Sequence, residues 1–432
     1  MGTNKLSSRA WFAVTILTLA YAGGWYEEHL ANQRTALASA QTANEGADLG
    51  GYRILKRLRA PYAPLGGGRS PFPKLVIEDN QRRFWIAFHR GGHVQLYDEP
   101  TGQWELFFDR GADTLKSREQ RIHHHRDALL PGDISYICQG KDGVMWFSAD
   151  HTSPTTLSAR NDKLLTSFDG KQWRSFPIDA TQDGRIGLFQ GKDGRVWFWA
   201  IDEFKYWDRG RWSESIRVSD VSKKSERRFT PTTPSEEQIQ RRGRNRYEIL
   251  AGMQDSQGYL WFSTYSGIIT YHPQDGKLRE HPELKDARAS SIYEDRHGRI
   301  WVNDDFGAVM YDTSSRALIR FNPLPHIDGQ PNVPDETSLI NGIYQDRRGR
   351  MIFVYLEGLV TLNETENRWS FVATKKLGLD AEETHNDLNG IMEDSQGRIW
   401  LPGFTGIAIL EQPGFPPSLQ NPTRNFRRPR VR

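Results

Sequence analysis

One eleven-residue pattern, Ile292-Tyr293-Glu294-Asp295-Arg296-His297-Gly298-Arg299-Ile300-Trp301-Val302, recurs along almost the whole chain and restricts its fold more than any other feature. Near-copies run from Met392 to Leu401 and from Met253 to Phe262, with a looser one from Phe189 to Phe198, and seven copies can be counted. Each copy alternates apolar and polar residues, passes through a short turn rich in Asp and Gly, and alternates again around an aromatic. That is the signature of a β-hairpin. The Asp can bond the backbone two residues on, and the Gly supplies the positive φ of a tight turn. Glu294-Asp295 has the look of a paired-carboxylate motif, but recurrence of an Asp at the turn makes it a chain-reversal device rather than a catalytic acid.

The aromatic column is Trp85, Trp146, Trp197, Trp261, Trp301, Ile352 and Trp400, with successive spacings of 61, 51, 64, 40, 51 and 48 residues. The sixth copy has lost its Trp. The shortest unit matches the roughly 40–50 residues of a four-stranded propeller blade, so the longer ones carry insertions. Unit five parses as Ser291–Glu294, Arg299–Asn303, Ala308–Asp312 and Ala317–Asn322. Further fourth strands are predicted over 103–107, 172–176 and 368–371. The seventh unit lacks one, because after Ile407–Leu410 the chain meets Pro413, Pro416 and Pro417. Tyr52–Leu58 is the candidate for the missing outer strand, closing the ring and removing its open edge. The expectation is an all-β chain: a seven-bladed β-propeller of four-stranded antiparallel blades over 51–412, with 51–60 completing the last blade. An open β-solenoid is the weaker alternative.

Composition agrees. The 14 Trp, 21 Phe and 15 Tyr exclude a disordered polymer, and 39 Gly suit many short strands joined by tight turns. A net charge of +3 from well-mixed residues argues against a nucleic-acid surface. Cys138 alone forms no intrachain disulfide and falls in a strand, where it packs as a small hydrophobe.

At the N-terminus, Lys5 and Arg9 precede an apolar run from Ala10 to Ala22, with no acidic residue before Glu27. Residues 1–25 read as an export signal. Ala20-Tyr21-Ala22 has the form of a cleavage site, while Gly23–Tyr26 extends the run towards a spanning length, so a cleaved signal and a retained inner-membrane anchor both stay open. Either way the remainder is placed outside the cytoplasm, periplasmic or secreted. Residues 26–50 read as a flexible tether and 413–432 as a Pro/Arg-rich solubilising tail.

The pattern Ile-x-Glu-Asp-x-x-Gly-x-Ile-Trp, followed by Gly267–Tyr271 or Gly307–Tyr311, resembles the two-component regulator propeller repeat over roughly Tyr52 to Gln412. The resemblance implies an exported propeller that serves as a sensor of ligands, alone or with a membrane sensor protein as partner. No phosphoacceptor-His motif or nucleotide-binding Gly-rich loop follows the last Trp, so the chain is not expected to carry a kinase. Lys141–Phe147 and Lys192–Phe198 are also similar to repeats of streptogramin-lyase-like propellers, enzymes that use a metal-assisted His and Glu pair. No residue pair here matches that one, so no catalytic residue is assigned.

Propeller topology puts the Asp-Gly turns on one face and the connections from second to third and from fourth to first strands on the other. The long insertions 110–133, 213–247, 323–339 and 373–387 all crowd this second face. Its turns offer His89, Arg90, Asp150, His151, Asp202, Glu203, Tyr265, Asp304, Asp305, Tyr355, Glu357 and Phe404, a mixture suited to a polar small molecule, a glycan or a peptide. If this face binds the ligand or partner, alanine at Asp304 and Tyr355 is expected to weaken binding and leave the melting temperature nearly unchanged. No cofactor is expected; a divalent metal enters only with the lyase alternative, which needs His89 or His151 near Asp150, Asp202 or Asp304. His123-His124-His125 lacks metal-ligand spacing, and the basic stretch around Arg241-Arg242-Gly243-Arg244 reads as a solvated insertion.

Overall fold

In the computed structural model, residues 51–59, 72–89, 93–107, 121–122, 133–150, 163–178, 186–208, 210–224, 246–285, 287–304, 307–321, 340–355, 358–364, 368–379, 390–403 and 405–412 are described, all within one compact unit. The export segment, the tether, the tail, the triple histidine and the Arg241–Arg244 stretch lie outside them. Among the described residues no helix is long and apolar enough to cross a membrane.

The described residues form seven sheets, antiparallel throughout except for one short strand added at the edge of the first. Unit five forms as expected: Ile292–Glu294, Ile300–Asp304, Gly307–Tyr311 and Leu318–Phe321, each paired with the next. The predicted closure is also present. Arg53–Leu58 runs antiparallel to Gly406–Glu411 and becomes the outer strand of blade seven, whose other strands are Ile399–Gly403 and Met392–Glu393. The ends of the domain are thereby paired, and a ring replaces an open array.

Two insertions contain unpredicted strands. Arg121–Ile122 adds a fifth, parallel strand to the edge of blade one at Glu105–Leu106. Ile216–Arg217 pairs back onto Glu203–Phe204 of blade three and leads into a 3-10 segment, Val218–Lys224.

The aromatic column packs between blades. Trp301 sits with Met310 of its own blade and Ile343, Met351 and Phe353 of blade six. Trp85 lies 5.7 Å from Phe147 of blade two, and Trp400 stacks at 3.9 Å on Phe84 of blade one. Burying a ring of roughly 150–250 Å² is worth up to about 4–6 kcal/mol at ~25 cal/mol/Å². Cys138 packs in the cluster around Trp146, as expected of a small hydrophobe.

The recurring Asp does more than reverse the chain. Asp295 Oδ1 accepts the backbone N–H groups of His297 (2.9 Å) and Arg299 (3.0 Å); Oδ2 accepts Arg299 Nε (2.6 Å) and Trp301 Nε1 (2.8 Å). Asp79, Asp255 and Asp394 bond their own Trp six residues on in the same way. In blade six the Trp position is Ile352, yet Asp346 keeps its fourth donor: the Tyr52 hydroxyl arrives from the closing strand at 2.7 Å.

Blades two and three depart from this pattern. Gly140 and Gly191 occupy the position six before Trp146 and Trp197, and Asp142 and Asp193 lie two residues later, where each accepts a backbone N–H in the turn and neither takes the indole. Trp146 Nε1 and Trp197 Nε1 are then buried with no hydrogen-bond partner.

The residue before the Asp joins one blade to the previous one. Gln139 Oε1 accepts Asn80 N (2.8 Å), Gln254 accepts Lys192 N (2.7 Å), Glu294 accepts Ser256 N (2.7 Å) and Gln345 accepts Arg296 N (2.9 Å). Glu393 takes Arg347 Nε and the Tyr344 hydroxyl of blade six, and Glu78 takes Ser395 N of blade seven. At the remaining interface a backbone bond, Lys141 N to Gly194 O at 3.3 Å, does the joining. Hydrogen bonds thus cross every blade boundary on the turn face.

Candidate functional site

With the turn face cross-linked, the opposite face carries the variable parts. In blades three and four its second-to-third-strand turns are short and held from behind. In blade four Gly267 has φ 99°, and a Cβ there would stand 2.6 Å from Leu284 O, so only glycine lets the turn nest against the following 3-10 segment, Pro282–Leu284. Thr264 Oγ1 donates to Gly267 O (2.9 Å), and Arg288 Nε reaches the Tyr265 carbonyl (3.3 Å). In blade three Ile201 adopts φ 56°, while the Asp202 carbonyl accepts Val218 N at 2.8 Å. The added strand beside it is fixed by an ion pair between Glu203 and Arg217.

The expected binding residues are placed unequally. Arg90, His151, Asp305, Glu357 and Phe404 lie outside the described residues, and for His89 and Asp150 only the strand-end backbone is described. Asp202, Tyr265, Asp304 and Tyr355 fall one to a blade, in blades three to six, close to the ends of the second strands. Asp304 is 5% exposed and ion-paired with Arg320 of its own outer strand. Tyr355 is 1% exposed within the core of blades five and six. The expectation that alanine at these two positions spares the melting temperature is therefore corrected: one removes a partner from a buried charge pair and the other opens a cavity.

Between the first strands lies the channel, described over blades one, five, six and seven. A cavity of about 200 Å³ there is lined by Leu75, Val76, Ile343, Ile391 and Pro402, with Ser291 and Asn341 as its polar side chains. None of these titrates, so this part of the channel offers shape, apolar contact and two neutral polar groups. The signal was the period-two alternation of the first strands, whose polar members Ser291 and Asn341 stand out only once their inward direction is known.

His281, which no repeat or motif singles out, follows the fourth strand of blade four on this face. Its Nε2 lies 3.0 Å from Thr270 Oγ1 and its ring stacks on Trp261 at 4.9 Å. Burial pushes the imidazole below its ordinary value, so it stays neutral at pH 7. Among the described residues no three His, Cys, Asp or Glu side chains converge as metal ligands.

No family model matches the sequence. No curated protein matches it either. Solved structures do share the architecture. A streptogramin B lyase aligns with TM-score 0.55 at 13% identity, over 85% of this chain and 99% of that one. Virginiamycin B lyase from Staphylococcus aureus gives 0.54 at 12%, over 83% and 99%. The extracellular domain of a hybrid two-component system from B. thetaiotaomicron gives 0.52 at 14%, covering 83% of this chain and 40% of that one. At such identities what is shared is the fold, and the fold is the seven-bladed β-propeller.

Proposed function

We propose that this protein is an extracytoplasmic ligand-binding or protein-interaction module, tethered to the membrane or secreted through its N-terminal segment, that binds through the loop-bearing face at the mouth of the channel. The observation that carries this reading is the contrast between the faces. On the turn face the repeating Asp, Glu and Gln side chains are largely committed to hydrogen bonds within and between blades, whereas the long insertions all join a fourth strand to the next first strand, whose connected ends lie at the opposite face. Rigid scaffolds carry function in such loops. The likeness to the extracellular domain of a two-component system supports a sensory role.

The test is a thermal-shift screen of sugars, short peptides and small polar metabolites against the purified protein and its Asn341→Trp variant, which fills the channel mouth. A compound that stabilises the first and not the second supports the reading. Stabilisers that act equally on both place binding elsewhere and sink it.

A lyase of the streptogramin type is the second reading, favoured by an alignment spanning 99% of those enzymes. Its candidates are His89 and His151 with Asp150, Asp202 or Asp304, acting with a divalent metal. Incubation with a type B streptogramin and a divalent metal distinguishes the two: the antibiotic stays intact under the first reading and is cleaved under the second.

A further inference from the structure

On the turn face, away from the loops, a cleft of about 220 Å³ opens between the turns of blades six and seven and the closing strand. Leu55, Arg347, Gln396, Arg398, Glu411 and Gln412 line it. Gln412 is 5% exposed, yet neither its Oε1 nor its Nε2 has a hydrogen-bond partner. A carboxamide carries two N–H donors and an acceptor, and native interiors rarely leave such groups unmatched.

The charged groups around it are already compensated. Arg347 pairs with Glu393 and reaches the Asp394 and Ser395 carbonyls. Arg398 joins Asp394 to Glu99, and Glu411 holds Arg53. An anion entering the cleft would meet no uncompensated guanidinium. What remains unsatisfied is a neutral donor beside a neutral acceptor, the complement of an amide whose N–H and C=O lie side by side.

The cleft's outer wall supplies a second contact. Leu55 is 46% exposed, an unusual exposure for a large apolar residue in this molecule, and it sits in the bulge between Ile54 and Lys56, outside the register that pairs the closing strand with Gly406–Glu411. That strand is the outermost of its blade, and the corresponding edge of blade one already carries an added strand at Arg121–Ile122. The volume equals roughly seven waters, below the ~300 Å³ at which small-molecule pockets begin. It suits one residue of a peptide with its flanking amides.

We propose that this cleft is a docking site for an uncharged, extended peptide segment of another protein, which pairs a main-chain amide with the Gln412 carboxamide and rests an apolar side chain on Leu55. This site is independent of the loop-face reading and would give the propeller a second attachment point on its other face.

The probe is N-acetyl-leucine amide, added to the full chain labelled with ¹⁵N-glutamine; the Gln412 side-chain signals are identified by their loss in Gln412→Met. The expected result is a saturable, millimolar shift of that amide pair, weakened by about fivefold or more in Leu55→Ser. 4-Methylpentanoate, which keeps the side chain but offers a carboxylate, should leave the pair unmoved. Gln412→Met, equal in length and without the two unpaired atoms, should melt higher than the parent when no ligand is present. The proposal is overturned if the Gln412 signals ignore the amide, if 4-methylpentanoate moves them equally, or if Gln412→Met melts lower, which would show the carboxamide to be paired already.

Discussion

Replacing Tyr52 by Phe removes one oxygen from a molecule of 432 residues, and the structure says what that oxygen does. The Asp346 side chain is 0% exposed and takes four donors: Arg348 N and Arg350 N (both 2.9 Å) on Oδ1, Arg350 Nε (2.8 Å) and the Tyr52 hydroxyl (2.7 Å) on Oδ2. Burial, and after it the Asp346 charge, pushes the Tyr52 phenol well above its ordinary value, so it remains a donor at every working pH. The Phe variant keeps the ring and its stacking under the Arg350 guanidinium, 4.5 Å away. What is lost is one hydrogen bond to a buried carboxylate, worth about 1.5–3 kcal/mol.

For a ring of roughly 360 residues, unfolding entropy of ~2.1 cal/mol/K per residue amounts to about 0.76 kcal/mol/K, so the melting temperature should fall by about 2–4 °C. Calorimetry measures this, and amide exchange locates it: the amides of Arg53–Leu58 should lose protection before those of blades three to five. Asp346→Asn in the same background should be non-additive by more than about 0.5 kcal/mol, since both changes touch one bond. A Phe variant that melts within about half a degree of the parent, with unaltered exchange in the closing strand, refutes the idea that Tyr52 replaces the missing Trp of blade six.

Three other outcomes follow from the same geometry. Asp295→Ala should cost about 3–5 kcal/mol in chemical denaturation, because it removes the more buried of the two carboxylate partners of Arg299 and the acceptor of two backbone N–H groups and an indole, while Asp193→Ala, whose exposed carboxylate serves one backbone N–H and Arg195 at 3.3 Å, should cost under ~1 kcal/mol. Gly140→Asp combined with Asp142→Gln should raise the melting temperature by giving Trp146 Nε1 an acceptor; Asp142 must change as well, since its Oδ1 stands 2.6 Å from a Cβ at position 140, and a lower melting temperature would contradict the account. His281 is held below its ordinary 6.5 chiefly by burial, with the Glu283 charge opposing and Arg316 and Arg279 assisting. The unfolded chain therefore takes up the proton first, and stability is full above pH 6.5 and declines as the pH falls below it; melting curves from pH 7.5 to 5 should show this slope reduced in His281→Phe.

The fold was legible because it is written seven times. Alternation, a Gly turn and a Trp at fixed distance can each arise by chance, but their joint recurrence cannot, and even the closing strand at Arg53–Leu58 followed from counting fourth strands. The side-chain chemistry was less legible. Alternation reports which way a residue points along its own strand, and says nothing of what stands across the blade boundary. The pairing of Asp346 with Tyr52 spans 294 residues, and no local pattern encodes it. The burial of Asp304 and Tyr355 was missed for the same reason: a strand-end residue reads as loop until the outer strand's Arg320 and the neighbouring blade are seen to cover it. The channel residues Ser291 and Asn341 were hidden in strands that otherwise look like core.

The Glu/Gln-Asp dipeptide joins these two scales. Its Asp works inside the blade, fixing turn and indole together, so removing it leaves a buried Trp without an acceptor, as Gly140 and Gly191 do for Trp146 and Trp197. Its Glu or Gln works outward, accepting a backbone N–H from the previous turn. Where Gln190 does not take this part, a carbonyl from the same turn does, so the boundary is kept even when the residue is not. One dipeptide thus ties local chain reversal to ring closure, and a substitution there disturbs both. The loop face has no such double constraint: its insertions lie between strands already fixed at the other end. A propeller built this way can exchange one recognition surface for another without reopening the ring, which is why the non-repeating loops, rather than the repeated carboxylates, are where specificity is to be sought.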